Sequence, residues 1–500
     1  MKKLMTGNEA LARGAWEAGV LVASAYPGTP STEILENMTG YKEVYSEWAP
    51  NEKVALEAAI GASIAGARSM ASMKHVGLNV AADPLFTFAY TGVNGGLVCI
   101  TADEPGMHSS QNEQDNRMFA KMARVPMIEP ASSQECRDFM IEAFDISEKF
   151  NAPVLMRMTT RLCHSKGIVE CGERAAVAPT VPYVKNAARY VSVPANARVL
   201  RHDLEKRLIA LAAFSEETAM NRIEDNGKKV GVVVSGMCYN FAKEVFGDDV
   251  NYLKLGFTHP LPTKKMAAFM KGLEKCYVIE ENDPYLEEAL KILGFSDIVY
   301  GKNTFPYAGE MTSDVIRAAI GVKPLATLEY AEEKVVSRPP ALCAGCPHRG
   351  LFYELGKRKN VMVTGDIGCY TLGFAPPYNG LDTTVCMGSA FSTAHGAAKA
   401  FEAMGEDKRV VGILGDSTFF HTGINGLTEA LYNNSKTVNI ILDNRITGMT
   451  GHQENPGSGK HAGGDPANII DIEEVCRALG AENIRTINPN DLKQVKEALD

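Results

Sequence analysis

Three things are scarce in this sequence. No apolar run is long enough to span a bilayer, no tract is rich in lysine or arginine, and no dense set of cysteines marks a disulfide framework. The first absence argues against a helical membrane protein. The second, with 51 basic against 60 acidic side chains and a formal net charge of -9, argues against nucleic acid or anionic membrane as the main partner and leaves small molecules and proteins. The third argues against a stapled secreted domain: eleven cysteines scattered over 500 residues suit a reducing compartment, where any close pair reads as a metal or cluster site. The start Met1-Lys2-Lys3 is basic, but Thr6, Asn8, Glu9 and Arg13 interrupt the apolar stretch that a secretory leader needs, so a cytoplasmic location is expected.

Core-forming material is plentiful: a hydrophobic content of 45% over 500 residues is enough for three domains. Strand and helix signals alternate over 1–167. Leu21 to Ala25 reads as a strand, Ser31 to Met38 as a helix opened by Pro30-Ser31, Val54 to Gly66 as an alanine-rich helix, and Gly96 to Ala102 and Pro153 to Met158 as further strands. That alternation predicts a doubly wound parallel sheet. Residues 168–226 read as a connector, rich in Ala, Val and Pro to 200 and a charged helix from 201 on. Lys229 to Ser235, Asn251 to Leu255 and Cys276 to Glu280 predict three strands of a smaller α/β domain at 227–323. A linker at 324–340 ends in Arg338-Pro339-Pro340, and the alternation resumes over 341–500, where Asn490 to Asp500 has an amphipathic helical pattern. The predicted fold is α/β, with two doubly wound parallel sheets of similar size flanking a smaller α/β domain. No repeat is visible by direct identity.

The most informative segment lies in the last third. Val410-Val411-Gly412-Ile413-Leu414 closes on Gly415-Asp416-Ser417, and a second apolar run, Val438 to Leu442, delivers Asp443-Asn444. The spacing is that of one helix, a turn and a return strand, so it predicts a βαβ crossover with both strand C-termini on one edge of a parallel sheet. Asp416 and Asn444 then stand side by side. A carboxylate, an amide oxygen and one backbone carbonyl are hard donors of the kind magnesium takes, with the remaining octahedral positions left for diphosphate oxygens and water. The pattern resembles the thiamine diphosphate motif GDG, here GDS, followed by Asn; Gly-Asp-Ser after a strand is also ordinary turn chemistry. Upstream, Gly388-Ser389 and His395-Gly396 suit a strand-to-helix turn whose amides approach a diphosphate, although His395 also suits a satisfied helix histidine. Thr447-Gly448-Met449-Thr450-Gly451 forms a hydroxyl-bearing loop suited to close over phosphates.

Thiamine catalysis also requires a carboxylic acid at the aminopyrimidine N1′, buried so that its protonation is tuned. Glu52, at the start of the helix Val54 to Gly66, is the candidate, with Glu47 and Glu57 as competitors and a plain helix-terminal charge as the alternative. The loop Tyr26 to Ser31 follows a predicted strand and is stiffened by two prolines. Its Thr29 suits either a hydrogen bond to a substrate carbonyl or carboxylate, or a cap for the following helix. In the polar loop Asp103 to Arg117, Ser109, Ser110 or Arg117 suits a substrate carboxylate, with a plain surface role as the alternative for each. Cys343 and Cys346 form a CxxC, and with Cys369 they suit an iron-sulfur cluster better than tetrahedral zinc, which His348 would have to complete.

Four segments carry a family resemblance: Tyr26-Pro27-Gly28-Thr29-Pro30-Ser31-Thr32-Glu33, the stretch around Glu52, Cys343-Ala344-Gly345-Cys346-Pro347-His348-Arg349-Gly350, and Gly365-Asp366-Ile367-Gly368-Cys369-Tyr370. Their order resembles that of the thiamine diphosphate-dependent 2-oxoacid:ferredoxin oxidoreductases. A pyrimidine-type domain first and a diphosphate-type domain last is similar to the large (alpha) subunits of the indolepyruvate ferredoxin oxidoreductase branch, over essentially the whole chain. The resemblance implies oxidative decarboxylation of an arylpyruvate to an aryl-acetyl-CoA, with carbon dioxide released and electrons passed singly to ferredoxin. Carried over by position, it implies Glu52 as the N1′ acid, Thr29 as the active-site threonine, and Asp416, Asn444 and the Ile446 carbonyl as magnesium ligands. It further implies that Cys343, Cys346 and Cys369 hold a [4Fe-4S] cluster whose fourth cysteine lies beyond the diphosphate segment, a place for which Cys386 and Cys476 remain by elimination. In full-length members of the family a cysteine-rich ferredoxin-like domain follows the diphosphate-type segment; a small beta subunit in an α2β2 assembly, ferredoxin and coenzyme A complete the set implied for this chain. A non-oxidative thiamine-dependent decarboxylase and a non-catalytic subunit are the rival expectations.

Overall fold

The alternation read from the sequence folds as two units, Met1–Thr327 and Leu328–Asp500, in a computed structural model that describes residues 1–175, 180–326 and 335–500. Residues 176–179 of the expected connector and 327–334 of the expected linker lie outside the described residues. The strands of the first unit are β1 (Lys2–Thr6), β2 (Val22–Ala25), β3 (Tyr45–Trp48), β4 (Ser69–Lys74), β5 (Leu97–Asp103), β6 (Met127–Ile128), β7 (Val154–Thr159), β8 (Lys166–Glu170), β9 (Asn221–Glu224), β10 (Val230–Ser235), β11 (Asn251–Leu255), β12 (Phe257–His259), β13 (Lys275–Ile279) and β14 (Val299–Tyr300). The second unit holds β15 (Val361–Thr364), β16 (Arg409–Gly415) and β17 (Thr437–Leu442).

A 7-stranded sheet, in the order β12-β6-β7-β5-β4-β2-β3, is parallel except for β12. Its central β5 is buried along its whole length, because helices cover both faces and a strand so placed is a continuous apolar run rather than an alternating one. Side chains still point alternately to the two faces. Val98, Ile100 and Ala102 join the core beneath the helices Gly7–Glu17 and Ser133–Phe150, while Leu97 and Cys99 join the core beneath Glu52–Ile64 and Ala82–Thr91. The winding reverses between β2 and β4: β3 lies on one side of β2, and the chain then crosses to β4 on the other. Loops leaving the C-terminal ends of such strands open a crevice at the sheet edge.

The 5-stranded sheet of the same unit runs β14-β13-β10-β11-β9, parallel but for β9. Two sequence boundaries are corrected here. β12, from the stretch expected to form the smaller domain, adds to the first sheet, so the two sheets share chain rather than dividing near residue 227. The charged helix runs Pro194–Glu217, with proline in its first turn where no amide bond is lost, and the expected connector ends in a strand, β9. β1 pairs with β8, a short antiparallel contact that no local pattern announces. In the second unit β15, β16 and β17 form a parallel 3-stranded sheet covered on both faces, with Val411 and Ile413 in one core and Leu414 in the other. It is smaller than the sequence suggested, because after Leu442 the described chain to residue 471 is glycine-rich and takes up turns instead of further strands.

Buried charges stitch the two sheets of the first unit together. Arg117, 1% exposed, donates to Asp115, to Glu280 at 2.7 Å, and to the carbonyls of Glu281 and Asp283 at 3.0 Å each. Arg157 on β7 donates to Asp103 and Glu129, both at 2.7 Å, and Ser235 at the end of β10 donates to the same Glu129 at 3.2 Å. Burial drives the Asp103 carboxyl up to about 6 despite Arg157. Burial also opposes ionisation of Asp115, but Arg117 and Arg157 together hold it down to about 2. Removing one member of such a set strands the others without a counter-charge, a loss of ~3–5 kcal/mol. Arg117→Met is therefore expected to lower the urea-unfolding free energy of the unit by ~3–5 kcal/mol at neutral pH; a loss near zero would contradict this network.

Candidate active site

β16 and β17 are parallel neighbours with Gly415 opposite Leu442, so Asp416 and Asp443-Asn444 leave the sheet on the same edge. Asp416 is 3% exposed. Its Oδ2 accepts from Asn455 Nδ2 at 3.0 Å, and the amides of Ser417 and Ile446 also stabilise its charged form. The Ile446 amide donates as well to Asn444 Oδ1 at 3.2 Å, so Asp416, Asn444 and Ile446 gather around one N–H. Asn444 itself is exposed.

Burial raises the Asp416 carboxyl to about 6, and Asp443 pushes in the same direction. A buried acid held by neutral amides beside a second carboxylate favours a cation at its side. Among the described residues no three His, Cys, Asp or Glu side chains gather in metal-holding geometry. An ion here therefore depends on one carboxylate with amide and carbonyl oxygens, and on a ligand's own oxygens to complete its shell. That donor chemistry fits magnesium carrying a diphosphate better than a closed protein cage.

The surroundings tie this edge down. Ser417 Oγ and Thr447 Oγ1 share a hydrogen bond of 2.9 Å, linking the tip of β16 to the loop after β17. In that loop a Cβ at Gly448 would stand 3.7 Å from both Asn444 Nδ2 and Cys369 Sγ, and Met449 is exposed. Gly388 requires a correction. Its amide donates to Asp366 Oδ1 at 2.7 Å, and the Ala390 amide donates to Asp366 Oδ2 at 2.8 Å, so a carboxylate already occupies the turn where a diphosphate was expected. Ser389 Oγ closes the same turn by donating to the Cys386 carbonyl at 2.7 Å. His395 sits on the helix Ala390–Met404 with its Nδ1 buried and, among the described residues, without a hydrogen-bond partner, so that nitrogen is not satisfied within the helix.

Asp366 and Asn455 were not assigned from sequence. Gly365-Asp366 leaves β15 as Gly415-Asp416 leaves its neighbour β16, and that repeated Gly-Asp was the available signal for the first. Burial raises the Asp366 carboxyl to about 6, against three amide donors and the nearby His421. For Asn455 the signal was Asn455-Pro456-Gly457, a turn whose Asn Oδ1 accepts from the Gly457 amide at 2.8 Å.

In the first unit, Thr29 lies half-buried in the loop after β2. The capping alternative is not realised: the N-cap of the helix Thr32–Met38 is Ser31, which makes no side-chain cap hydrogen bond, while Ser31 Oγ donates to the Gly28 carbonyl at 2.8 Å and the Gly28 amide donates to Thr32 Oγ1 at 3.0 Å, bonds that tighten the loop before the helix. Glu52 opens the helix Glu52–Ile64, but the cap is Asn51, whose side chain accepts from the Val54 amide at 2.9 Å. Glu52 is 5% exposed and pressed against Gly77, where a Cβ would stand 2.6 Å from its Oε1. Its competitors are more open: Glu47 accepts from Ser24 and Tyr45 on an edge strand, and Glu57 pairs with Lys53 on the surface. The three substrate candidates also require correction. Arg117 is fully engaged in the buried network, and the hydroxyls of Ser109 and Ser110 both donate to Glu104.

Cys343 is exposed and Cys346 and Cys369 are half-buried. Burial, then the charges of Cys343 and Cys346, raises the Cys369 thiol, so the three thiols are close enough to act on one another. Cys476 packs in an apolar cluster with Phe391, Leu414 and Phe419, whereas Cys346 borders the cluster that contains Tyr370 on the other face of the sheet. That placement removes Cys476 from the ligand set; Cys386 is exposed in the turn closed by Ser389.

The raised Asp416 carboxyl gives a signed expectation. Its folded value of about 6 lies above the usual 3.8. The metal-free protein therefore loses stability as pH rises through that interval, and a cation, competing with the proton, restores it. Thermal stabilisation by thiamine diphosphate with magnesium is expected to grow between pH 5 and pH 7, by ~1 kcal/mol or more per unit of pH near its steepest, and to vanish in Asp416→Asn. A shift that is flat with pH, or unchanged in the variant, would contradict it.

Comparison with known proteins agrees with this layout. Residues 13–221 match the family model described as pyruvate flavodoxin/ferredoxin oxidoreductase, thiamine diphosphate-binding, and residues 366–500 match that of the thiamine pyrophosphate enzyme C-terminal TPP-binding domain. The chain is 43% identical to indolepyruvate oxidoreductase subunit IorA of Methanothermobacter marburgensis, over 99% of this chain and 83% of that protein. It is 40% identical to the subunit of the same name from Archaeoglobus fulgidus, over 100% of this chain and 84% of the relative. Among solved structures, the 2-oxoglutarate:ferredoxin oxidoreductase of Magnetococcus marinus shares the fold with a TM-score of 0.54 at 18% identity, covering 64% of this chain and 65% of that one. At this identity and coverage, the chain belongs to the indolepyruvate oxidoreductase subunit IorA family.

Proposed function

We propose that this chain is the cofactor-binding subunit of a cytoplasmic enzyme that oxidatively decarboxylates arylpyruvates of the indolepyruvate type to aryl-acetyl-CoA and carbon dioxide, with electrons passed to ferredoxin. The observation that carries the reading is the pair of strand tips at β16 and β17, where a buried Asp416 meets Asn444 and Ile446. Thiamine diphosphate, when bound, supplies the carbon nucleophile and electron sink that decarboxylation of a 2-oxoacid needs.

The chain's own groups divide the remaining work. Asp416, Asn444 and the Ile446 carbonyl hold magnesium, and Gly415, Ser417, Thr447, Gly448 and Met449 shape the edge that receives the diphosphate. Glu52, acidic and buried, holds and moves the proton at the pyrimidine N1′. Thr29 offers its hydroxyl to the substrate's oxo group. Cys343, Cys346 and Cys369 would supply thiolates for a [4Fe-4S] cluster, which would provide a one-electron acceptor; the proximity of Cys369 to the Gly448 loop supports this role. Relatives are named as subunits, and a small beta subunit in an α2β2 assembly, coenzyme A and ferredoxin are the partners that fit this reaction. No helix among the described residues is long and apolar enough to cross a membrane.

One observation favours a second reading. Cys476 packs on the opposite face of the sheet from Cys346, which leaves Cys343, Cys346 and Cys369 without the cysteine expected beyond the diphosphate segment and suits a non-oxidative decarboxylase of the same fold. Iron and acid-labile sulfide in the anaerobically purified complex, with ferredoxin reduction that depends on arylpyruvate and coenzyme A, are expected; their joint absence alongside carbon dioxide release would favour the second reading. Glu52→Gln is expected to cut turnover by ~10²–10⁴-fold while leaving cofactor-dependent thermal stabilisation largely in place. Unchanged turnover would mean a non-catalytic subunit.

A further inference from the structure

A 2-oxoacid is an anion at neutral pH, and a site that orients it needs a cation close to the hydroxyl and the acid that act on it. In the first unit the obvious candidates are spent. Arg117 and Arg157 are locked in buried ion pairs, Lys53 pairs with Glu57 on the surface, and Arg161 pairs with Glu310. His75 is buried, and burial, followed by the adjacent lysine, lowers its proton affinity and keeps it neutral.

Lys74 is different. It is the last residue of β4, whose neighbours β2 and β5 deliver the Thr29 loop and Glu104 to the same sheet edge, at the place where the winding reverses. Its stem lies along the Thr29 loop: a Cβ at Gly28 would stand 3.1 Å from Lys74 Cγ and Cδ, so a glycine just before Thr29 is what admits it. Glu52 is close enough to act on its charge. The side chain is 14% exposed, yet its ammonium is poorly served. Glu104 Oε2 is 3.6 Å away and the Ser109 carbonyl 3.4 Å, both beyond a good hydrogen bond. Glu104 instead accepts from the Ser109 amide and the hydroxyls of Ser109 and Ser110. Burial consequently outweighs Glu104 and Glu52 and lowers the lysine's proton affinity. A second carboxylate arriving at the rim would give this ammonium the short partner it lacks.

We propose that Lys74 binds the carboxylate of the 2-oxoacid substrate, from the tip of β4 between the Thr29 loop and Glu52. The assignment rests on the function proposed above and deepens it, since a lysine takes over the role that the sequence suggested for Arg117. One carboxylate oxygen replaces the long contact to Ser109, and the oxo carbon is held on the side of the crevice that Thr29 and Glu52 share.

The test uses the full chain in complex with its partner subunit, loaded with thiamine diphosphate and magnesium. Wild type, Lys74→Met and Lys74→Arg are compared in arylpyruvate oxidation and in inhibition by a 3-arylpropionate and by its primary amide, which has nearly the same shape but no charge. Lys74→Met is expected to raise KM for arylpyruvate by ~10–100-fold with a smaller change in kcat. It is also expected to weaken the carboxylate inhibitor by a similar factor while leaving the amide as it was. Lys74→Arg keeps the charge and is expected to keep most of the preference for carboxylate over amide, which tests the assignment even where Lys74→Met folds poorly. An active wild type whose Lys74→Met variant retains the carboxylate preference, or loses affinity for both inhibitors equally, would overturn the assignment. Wild type that oxidises no arylpyruvate is a separate failure, which overturns the proposed reaction and this role with it.

Discussion

A carboxylate buried at the tip of a strand and held, among the described residues, by amides is the constraint on which the second unit depends. Asp416 is fixed by Asn455, by its own turn and by the loop after β17, and each of these partners is neutral. Hydrogen bonds of this kind satisfy the lone pairs but not the charge. The parallel pairing of β16 and β17 places a second acid, Asp443, nearby and makes the imbalance worse. On the proposed function the imbalance is the purpose of the arrangement: the site is completed by an ion that arrives with its own phosphate oxygens.

The first unit treats charge in the opposite way. Arg117 and Arg157 are surrounded by Asp103, Asp115, Glu129 and Glu280, and the set closes on itself where two sheets pack. Such a network fixes which surfaces meet and leaves little to offer a ligand. Lys74, a few residues along the same sheet edge, has long contacts and a partly open rim. Geometry rather than residue type separates the structural cations from the one assigned to substrate.

What could be read in advance follows from the range of the interactions. The strands β10 and β16 were legible as near-continuous apolar runs and β11, β13 and β17 as shorter apolar stretches between helical segments, and the length between Asp416 and Asn444 fixed a crossover without any further contact. Arg117 was misread because its partner Glu280 lies 163 residues away, and a polar loop with an arginine looks the same whether it faces solvent or another sheet. The same limit hid β12, whose pairing with β6 is made across the fold, and the commitment of the Gly388 amide to Asp366. Lys74 carried no local signal: Ser69 to Lys74 is neither strongly apolar nor alternating, and only the neighbouring strands show where it ends.

The central claim, that the edge formed by residues 416, 444 and 446 takes a divalent ion together with a diphosphate, is tested most directly by counting bound manganese, used in place of magnesium, by electron paramagnetic resonance. Wild type should bind an equimolar amount when thiamine diphosphate is present and far less when it is absent, and Asn444→Ala should lose that cofactor-dependent fraction. Manganese that binds equally well without thiamine diphosphate, or whose binding ignores the substitution, would contradict the account.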